Sequence, residues 1–112
     1  MGYMSVEVTK GSNDNGIDIL ASKGGVKYGI QCKCYSSDIG VKAVQEAYAG
    51  AKYYDCHVPV VITNRHFTRQ AQDMAKKNNV LLWDREMLML MVKHYQKTTE
   101  KMEERENVND NV

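Results

Sequence analysis

Residues 14–35 read DNGIDILASKGGVKYGIQCKCY, and the fold turns on how this stretch pairs with itself. Two runs with apolar residues at alternate positions flank Gly24-Gly25, a two-residue loop suited to the positive φ angles of a tight hairpin, so the spacing predicts two antiparallel strands. Alternation decides which side chains share a face. Ile17 and Ile19 oppose Asp18 and Leu20 on the first arm, and Ile30, Cys32 and Cys34 oppose Gln31, Lys33 and Tyr35 on the second. With the apolar sets turned to the core, Asp18, Gln31 and Lys33 are left together on the opposite face.

A carboxylate, an amide oxygen and an ammonium held on paired strands suit phosphodiester cleavage. Asp18 and the Gln31 carbonyl oxygen are hard donors of the kind Mg²⁺ takes while keeping several waters. Lys33 beside them would orient or deprotonate an attacking water and offset charge on the phosphate. The competing reading is an ordinary Asp-to-Lys pair on a hairpin surface, which contributes little to stability.

Working outward, residues Tyr3 to Thr9 alternate, with Met4, Val6 and Val8 on one side, and predict a strand before the hairpin. Lys10 to Gly16 is a turn-rich cluster that forms a loop at the start of the Asp18 arm. After the hairpin, Ser36-Ser37-Asp38 offers N-cap chemistry, and Val41, Val44, Tyr48 and Ala51 recur at helical spacing, which predicts a helix from about Gly40 to Tyr54. His57 to Thr63 is a β-branched run suited to a strand buried on both faces, with Pro59 near its start. A helix over Phe67 to Lys77, a short strand over Val80 to Trp83 and a helix capped by Asp84 follow. The inner face of that last helix is expected at Met87, Leu88, Met91, Val92 and Tyr95. The predicted class is α/β, a mixed central sheet flanked by helices. Residues 1–97 form the expected domain; 98–112 are a polar tail, helical to about Glu106 and frayed beyond it.

The motifs Gly16-Ile17-Asp18-Ile19 and Ile30-Gln31-Cys32-Lys33-Cys34-Tyr35 resemble the core of the Mrr-type restriction endonuclease family. That family is the branch of the PD-(D/E)xK nucleases with Gln where most relatives carry an acid. Val44-Gln45-Glu46, Gly50-Ala51, Ile62-Thr63-Asn64, Phe67-Thr68, Ala71 and Leu82-Trp83-Asp84 resemble it too, in the same order, so the resemblance spans about residues 3–92. It implies a restriction-endonuclease-like sheet and Mg²⁺-dependent hydrolysis of DNA leaving a 5′-phosphate, with Mn²⁺ as a substitute ion. Asp18, Gln31 and Lys33 would be catalytic, and Asp18, Gln31 and the backbone carbonyl of Cys32 would hold the metal.

The resemblance also places the loop before Asp18 beside the scissile phosphate. Asn13 and Asn15 become candidate DNA contacts, and Asp14 an auxiliary carboxylate unless it bonds its own turn. Gln45 would lean toward the active face as a second auxiliary group. Lys42 is a candidate phosphate contact or a solubilising charge. Asn64, Arg65 and Arg69, where a strand end meets a helix N-terminus, are candidate DNA-backbone contacts or ordinary exposed cations. Family members usually have a helix before the first strand, and this sequence begins where that helix would end. Glu7 is a possible substitute for its metal-site carboxylate. A second copy of the chain is one way to cover the sheet face that helix would have covered.

Composition bounds the alternatives. A chain of 112 residues with 43% hydrophobic and 26% charged residues has room for one domain with a modest core. Net charge is +1; the body carries a small excess of Lys and Arg and the last residues a small excess of Asp and Glu. That permits local DNA binding and excludes a chain bound mainly through counterion release. Three cysteines do not make a disulfide framework, which points to a reducing, cytoplasmic setting. No apolar run is long enough to span a bilayer. Zinc at Cys32, Cys34, Cys56 and His57 is disfavoured by spacing. The expected partners are DNA and either a homodimer mate or a separate DNA-recognition or motor domain, with no membrane. The alternative function is a DNA-binding or assembly module that keeps the nuclease fold without turnover.

Overall fold

The structure, a computed structural model, describes residues 5–9 and 16–110, with side chains described through residue 104. In chain order it runs β1 (Ser5–Val8), β2 (Ile19–Lys23), β3 (Val26–Lys33), α1 (Val41–Tyr53), β4 (Val58–Thr63), α2 (Arg69–Asn78), β5 (Leu81–Trp83) and α3 (Arg85–Asp110). The strands form one five-stranded sheet in the order β1-β2-β3-β4-β5. β1, β2 and β3 are antiparallel neighbours, whereas β3, β4 and β5 are parallel and joined through α1 and α2. The sheet is therefore mixed, as the order of patterns predicted. Tyr3, Met4 and residues 10–15, for which a strand start and a loop are expected, lie outside the described residues.

The hairpin closes at Gly24 and Gly25, with φ of +58° and +80° and Lys23 paired to Val26. Two successive positive φ angles are what a two-residue turn between right-twisted strands requires, and glycine adopts them without a Cβ penalty. The arms are shorter than expected: β2 begins after Asp18, and β3 ends at Lys33, before Tyr35.

The expected division of faces is corrected by the packing. Gln31 is in register with Val61, and the Val61 side of the sheet lies under α1 and α2. That side carries the larger core cluster, in which Ala43, Val44 and Ala47 of α1 and Ala71 and Ala75 of α2 meet Val61, Phe67 and Val80. Alanines let both helices approach closely, and each fully buried valine contributes roughly 1.5–3 kcal/mol. Gln31 thus lies inside the principal core, 4% exposed, rather than on a solvated face. The opposite side holds a smaller cluster of Ala21, Ile30 and Val60, edged by half-buried Ile19, Tyr28, Ile62 and Trp83. Cys32 and Cys34, expected to face the core, are exposed.

Helix ends depart from the sequence pattern for local reasons. Ser36-Ser37-Asp38 does not cap α1; the N-cap is Gly40 and no side chain caps the helix. Ile39 is drawn into a parallel bridge with Phe67, its N–H donating to the His66 carbonyl and its carbonyl accepting from Thr68, which delays the helix. Phe67 is consequently a bridge residue, and α2 starts behind Thr68, whose hydroxyl accepts from the Ala71 N–H at 3.1 Å. Asp84 caps α3 as expected, accepting from the Met87 N–H at 3.1 Å.

The last helix differs most. It runs unbroken past residue 97 to Asp110, and of its predicted inner face only Leu88 is half-buried. Met87, Met91, Val92 and Tyr95 are 43%, 39%, 48% and 71% exposed. The reason is geometric: among the described elements α3 packs against β4 and β5 and then projects, giving extents of 56 × 29 × 26 Å. The radius of gyration is 16.8 Å, against roughly 13 Å for a compact chain of this length.

One polar contact ties the root of α3 to the loop after β4. His66 Nε2 lies 2.8 and 2.9 Å from the two Glu86 carboxylate oxygens. The hydrogen bond to Glu86, then its charge, raises the His66 pKa. A raised histidine stabilises the fold fully below its unfolded value, and that contribution is lost as pH rises through the folded value. In an NMR titration the His66 ring should therefore protonate at higher pH than an ordinary imidazole, and the difference should shrink in Glu86→Gln, where only the charges of Asp84 and Asp38 still raise it.

Candidate active site

The sequence-selected groups converge at the carboxyl ends of the parallel strands, where β3 ends at Lys33 beside Thr63 of β4. Open α/β sheets place ligands at such ends. Asp18 immediately precedes β2. Extending the Ile19–Ile30 register by one residue sets it opposite Gln31. Its N–H donates to the Ile30 carbonyl at 2.8 Å, and its carboxylate Oδ2 accepts from the Cys32 N–H at 2.8 Å. Thr9 pins the segment from the other side, its hydroxyl donating to the Ile17 carbonyl at 2.8 Å and its N–H to the Asp18 carbonyl at 2.9 Å.

Glu46 of α1 joins this group, where the sequence reading looked to Gln45. Gln45 is exposed, whereas Glu46 is half-buried one position further round the helix. Gln31 Nε2 donates to Glu46 Oε2 at 2.8 Å, and Lys33 Nζ lies 3.2 Å from the same oxygen. Gln31 Oε1 is buried with no hydrogen-bond partner among the described residues. A signal for Glu46 was present, since it lies three residues after Ala43 and two after Val44, at the edge of the stripe that faces the sheet. Glu46 reaches the sheet because Gly16 lets α1 come close. Gly16 has φ of +70°, and a Cβ there would lie 2.5 Å from the Glu46 carbonyl oxygen.

The charges reinforce one another. Partial burial pushes Glu46 up, but hydrogen bonds from Gln31 and Lys33 and the charges of Lys33 and Lys42 outweigh it, holding the carboxyl below its ordinary range. Burial likewise pushes Lys33 down. Hydrogen bonds with Tyr35 and Glu46 and the Glu46 charge outweigh it, so the amine titrates above its ordinary value. The Glu46 contribution to stability is thus present at neutral pH and lost only in acid below the usual carboxylate range. That of Lys33 is lost only in strong base. Lys33 is an ammonium at neutral pH, fitted to offset and orient negative charge rather than to remove a proton.

Lys33, Tyr35, Asp38, Gly40, Lys42 and Glu46 border an open groove of about 160 Å³. Lys33 Nζ donates toward Tyr35 Oη at 3.3 Å. Gly40 offers no side-chain acceptor to the first N–H groups of α1, and no acid occupies its first turn, so the positive end of the helix adjoins Lys33 and Lys42. The Lys42 side chain is 88% exposed and 3.9 Å from Glu46 Oε1.

The other candidates are placed less uniformly. Asn64 and Arg65 follow β4 at the same end of the sheet as Lys33 but are half-buried, and Asn64 Oδ1 and Arg65 Nε are buried without partners among the described residues. Arg69 is exposed in the first turn of α2, and Glu7 is exposed on edge strand β1. Asn13, Asp14 and Asn15 lie outside the described residues. Cys56 and His57 precede β4 at the far end of the sheet, remote in register from Cys32; His57 Nδ1 accepts there from the Lys27 N–H at 2.8 Å.

Asp18, Gln31 Oε1 and the Cys32 carbonyl are an all-oxygen donor set. A buried amide oxygen left without a partner beside a carboxylate fits a hard divalent cation. Among the described residues no three His, Cys, Asp or Glu side chains cluster as metal ligands, so such an ion would lean on amide, backbone and water oxygens.

Three solved structures share this architecture. A crystal structure of a protein of unknown function, AF1548, aligns with a TM-score of 0.62 at 22% identity, over 72% of this chain and 49% of that one. The DNA modification-dependent restriction endonuclease AspBHI aligns at 0.61 and 21% identity, over 75% and 24%. The MspJI restriction endonuclease, in complex with a 27-mer oligonucleotide, aligns at 0.62 and 21%, over 78% and 22%. The chain thus spans about half the length of the first and about a quarter of the other two. No curated protein sequence matches it. Among the described residues, no helix is long and apolar enough to cross a membrane. The restriction endonuclease family Mrr_cat matches residues 1–100. With the mixed sheet of the restriction endonucleases and the GID and QCK motifs side by side at its strand ends, the chain belongs to that family.

Proposed function

We propose that this chain is the catalytic domain of a divalent-metal-dependent DNA endonuclease. The observation that carries the reading is the Gln31 amide, buried in the sheet opposite Asp18, with its nitrogen engaged by Glu46 and its oxygen without a partner among the described residues. Asp18, Gln31 Oε1 and the Cys32 carbonyl are the groups that would hold Mg²⁺, or Mn²⁺ in its place. When bound, such an ion supplies a Lewis acid for the phosphoryl oxygen and makes a water more acidic. Asp18 is held for this by the Cys32 N–H. The Lys33 ammonium offsets the charge that builds on the phosphoryl group and orients the attacking water. Lys42 and the start of α1 receive the flanking phosphates, with Asn64, Arg65 and Arg69 contacting the backbone further along; Asn13, Asp14 and Asn15 keep the roles that the resemblance implies. That a restriction endonuclease with the same fold is known in complex with an oligonucleotide supports DNA as the substrate.

With one carboxylate among its ligands the ion is expected to bind weakly. Supercoiled plasmid should be nicked on adding millimolar-scale Mg²⁺ or Mn²⁺, and chelation should stop the reaction. Cleavage unaffected by chelator would refute metal dependence. Metal binding without any cleavage would favour the module that has lost turnover.

The functional form is a homodimer paired through α3. Seven large apolar side chains between Met87 and Met102 are 39–71% exposed. Of these, Met91, Tyr95 and Met102 fall on one face of the helix. Leu88, Met91, Tyr95, Thr98 and Met102 recur at alternating spacings of three and four, the seam of a helix pair, so a second copy of the same helix is the matching occupant. Light scattering should give twice the chain mass, and Met91→Glu with Tyr95→Glu should halve it without loss of helix by circular dichroism. A monomeric wild type would overturn the pairing.

A further inference from the structure

We infer that Glu46 is a positioning residue that sets which end of the Gln31 amide is presented to the metal. The inference rests on the metal-dependent reading above. The two ends of a primary amide are nearly equal in size, and rotation about the last side-chain torsion exchanges them at little cost. Sterics alone therefore cannot make Gln31 offer oxygen rather than NH₂, and an amide with its NH₂ toward the cation would repel it. A carboxylate removes the ambiguity because it only accepts. Glu46 Oε2, 2.8 Å from the Gln31 nitrogen, can face only the NH₂ end, which leaves Oε1 as the free, buried atom.

Glu46 is itself held from three sides. Gly16 packs against its backbone carbonyl at a distance that admits no Cβ. Lys33 lies 3.2 Å from the oxygen that engages Gln31, and Lys42 lies 3.9 Å from the other. The motif glycine two residues before Asp18 thereby fixes, through α1, the orientation of the amide opposite Asp18. In this chain an acid one layer behind the ligand makes an amide serve where a carboxylate would need no orientation at all.

The test is Mn²⁺ binding to the full chain, measured by calorimetry without DNA. Wild type should bind one ion, and Asp18→Asn should lose it. Glu46→Gln, nearly isosteric, presents either an acceptor or a donor to Gln31 and no longer dictates its orientation, so binding should weaken by about ten- to a hundredfold, the usual effect of removing a group that orients a ligand. Adding Gln31→Glu to Glu46→Gln should restore the affinity, because both ends of the new ligand are oxygens and the new amide at position 46 can donate to it. A purely structural Glu46 would show no such rescue; thermal unfolding of each variant confirms that it is folded. Wild-type affinity in Glu46→Gln, or a double variant no tighter than the single, overturns the inference and leaves the metal-dependent reading standing. A wild type that binds no Mn²⁺ overturns both.

Discussion

Asp18→Asn and Lys33→Ala should each reduce plasmid nicking by at least about 10²–10³-fold while the domain still unfolds cooperatively. Asp18→Asn keeps an oxygen that can accept from the Cys32 N–H, so the local hydrogen bond survives while the negative charge is lost. Lys33→Ala removes the ammonium 3.2 Å from Glu46, but Glu46 retains the Gln31 hydrogen bond and the nearby charge of Lys42. The stability cost should be about 1 kcal/mol, a few degrees in Tm for a domain of this size. Nicking time courses beside thermal unfolding separate the two effects. Because the hydrogen bonds with Tyr35 and Glu46 and the Glu46 charge outweigh burial and keep Lys33 protonated above the ordinary amine range, activity should show no Lys33 titration between neutral pH and that range. Cleavage retained in both variants would end the nuclease assignment.

Gly16→Ala carries the largest expected effect on the fold. Its φ of +70° costs an alanine roughly 1–2 kcal/mol. The added Cβ would also meet the Glu46 carbonyl oxygen at 2.5 Å and its carbon at 3.0 Å. Those are backbone atoms of a helix and cannot swing aside as a side-chain tip would. Overpacking of this kind costs typically 1–3 kcal/mol, so a total of about 3 kcal/mol is expected from a fold whose whole stability is of order 5–15 kcal/mol. A urea titration should show the midpoint falling sharply, and metal binding should weaken in the folded fraction as α1 moves off Gln31. An unchanged midpoint would mean that α1 does not approach Gly16 as described.

Several elements were legible before any coordinates. The Gly-Gly turn, the β-branched run at Val58–Thr63 and the Asp84 cap announce themselves because each depends on local backbone chemistry, and each is present in the structure within a residue or two. The order of patterns likewise sufficed for a mixed sheet. Burial was misread wherever it depended on what lies above a strand. Strand alternation sets Gln31 on the face opposite the apolar residues of its strand, yet that face is the one α1 covers. Cys32 and Cys34 were assigned to the core because they alternate with polar residues, yet both are exposed. The α3 stripe looked like a core face because periodicity records only that one side of a helix is apolar, not whether anything is packed against it.

The amino-acid sequence by itself determined the hairpin and its register, and hence that Asp18, Gln31 and Lys33 share one side of the sheet, because strand alternation and a two-glycine turn are local rules that hold wherever the strands end up. Only the tertiary structure decided that this side lies beneath α1, that Glu46 and not Gln45 meets the Gln31 amide, and that α3 projects with its apolar side chains in water. Those outcomes depend on how close a helix can approach a glycine and on where a helix leaves its sheet, distances between segments far apart in the chain that no periodicity encodes.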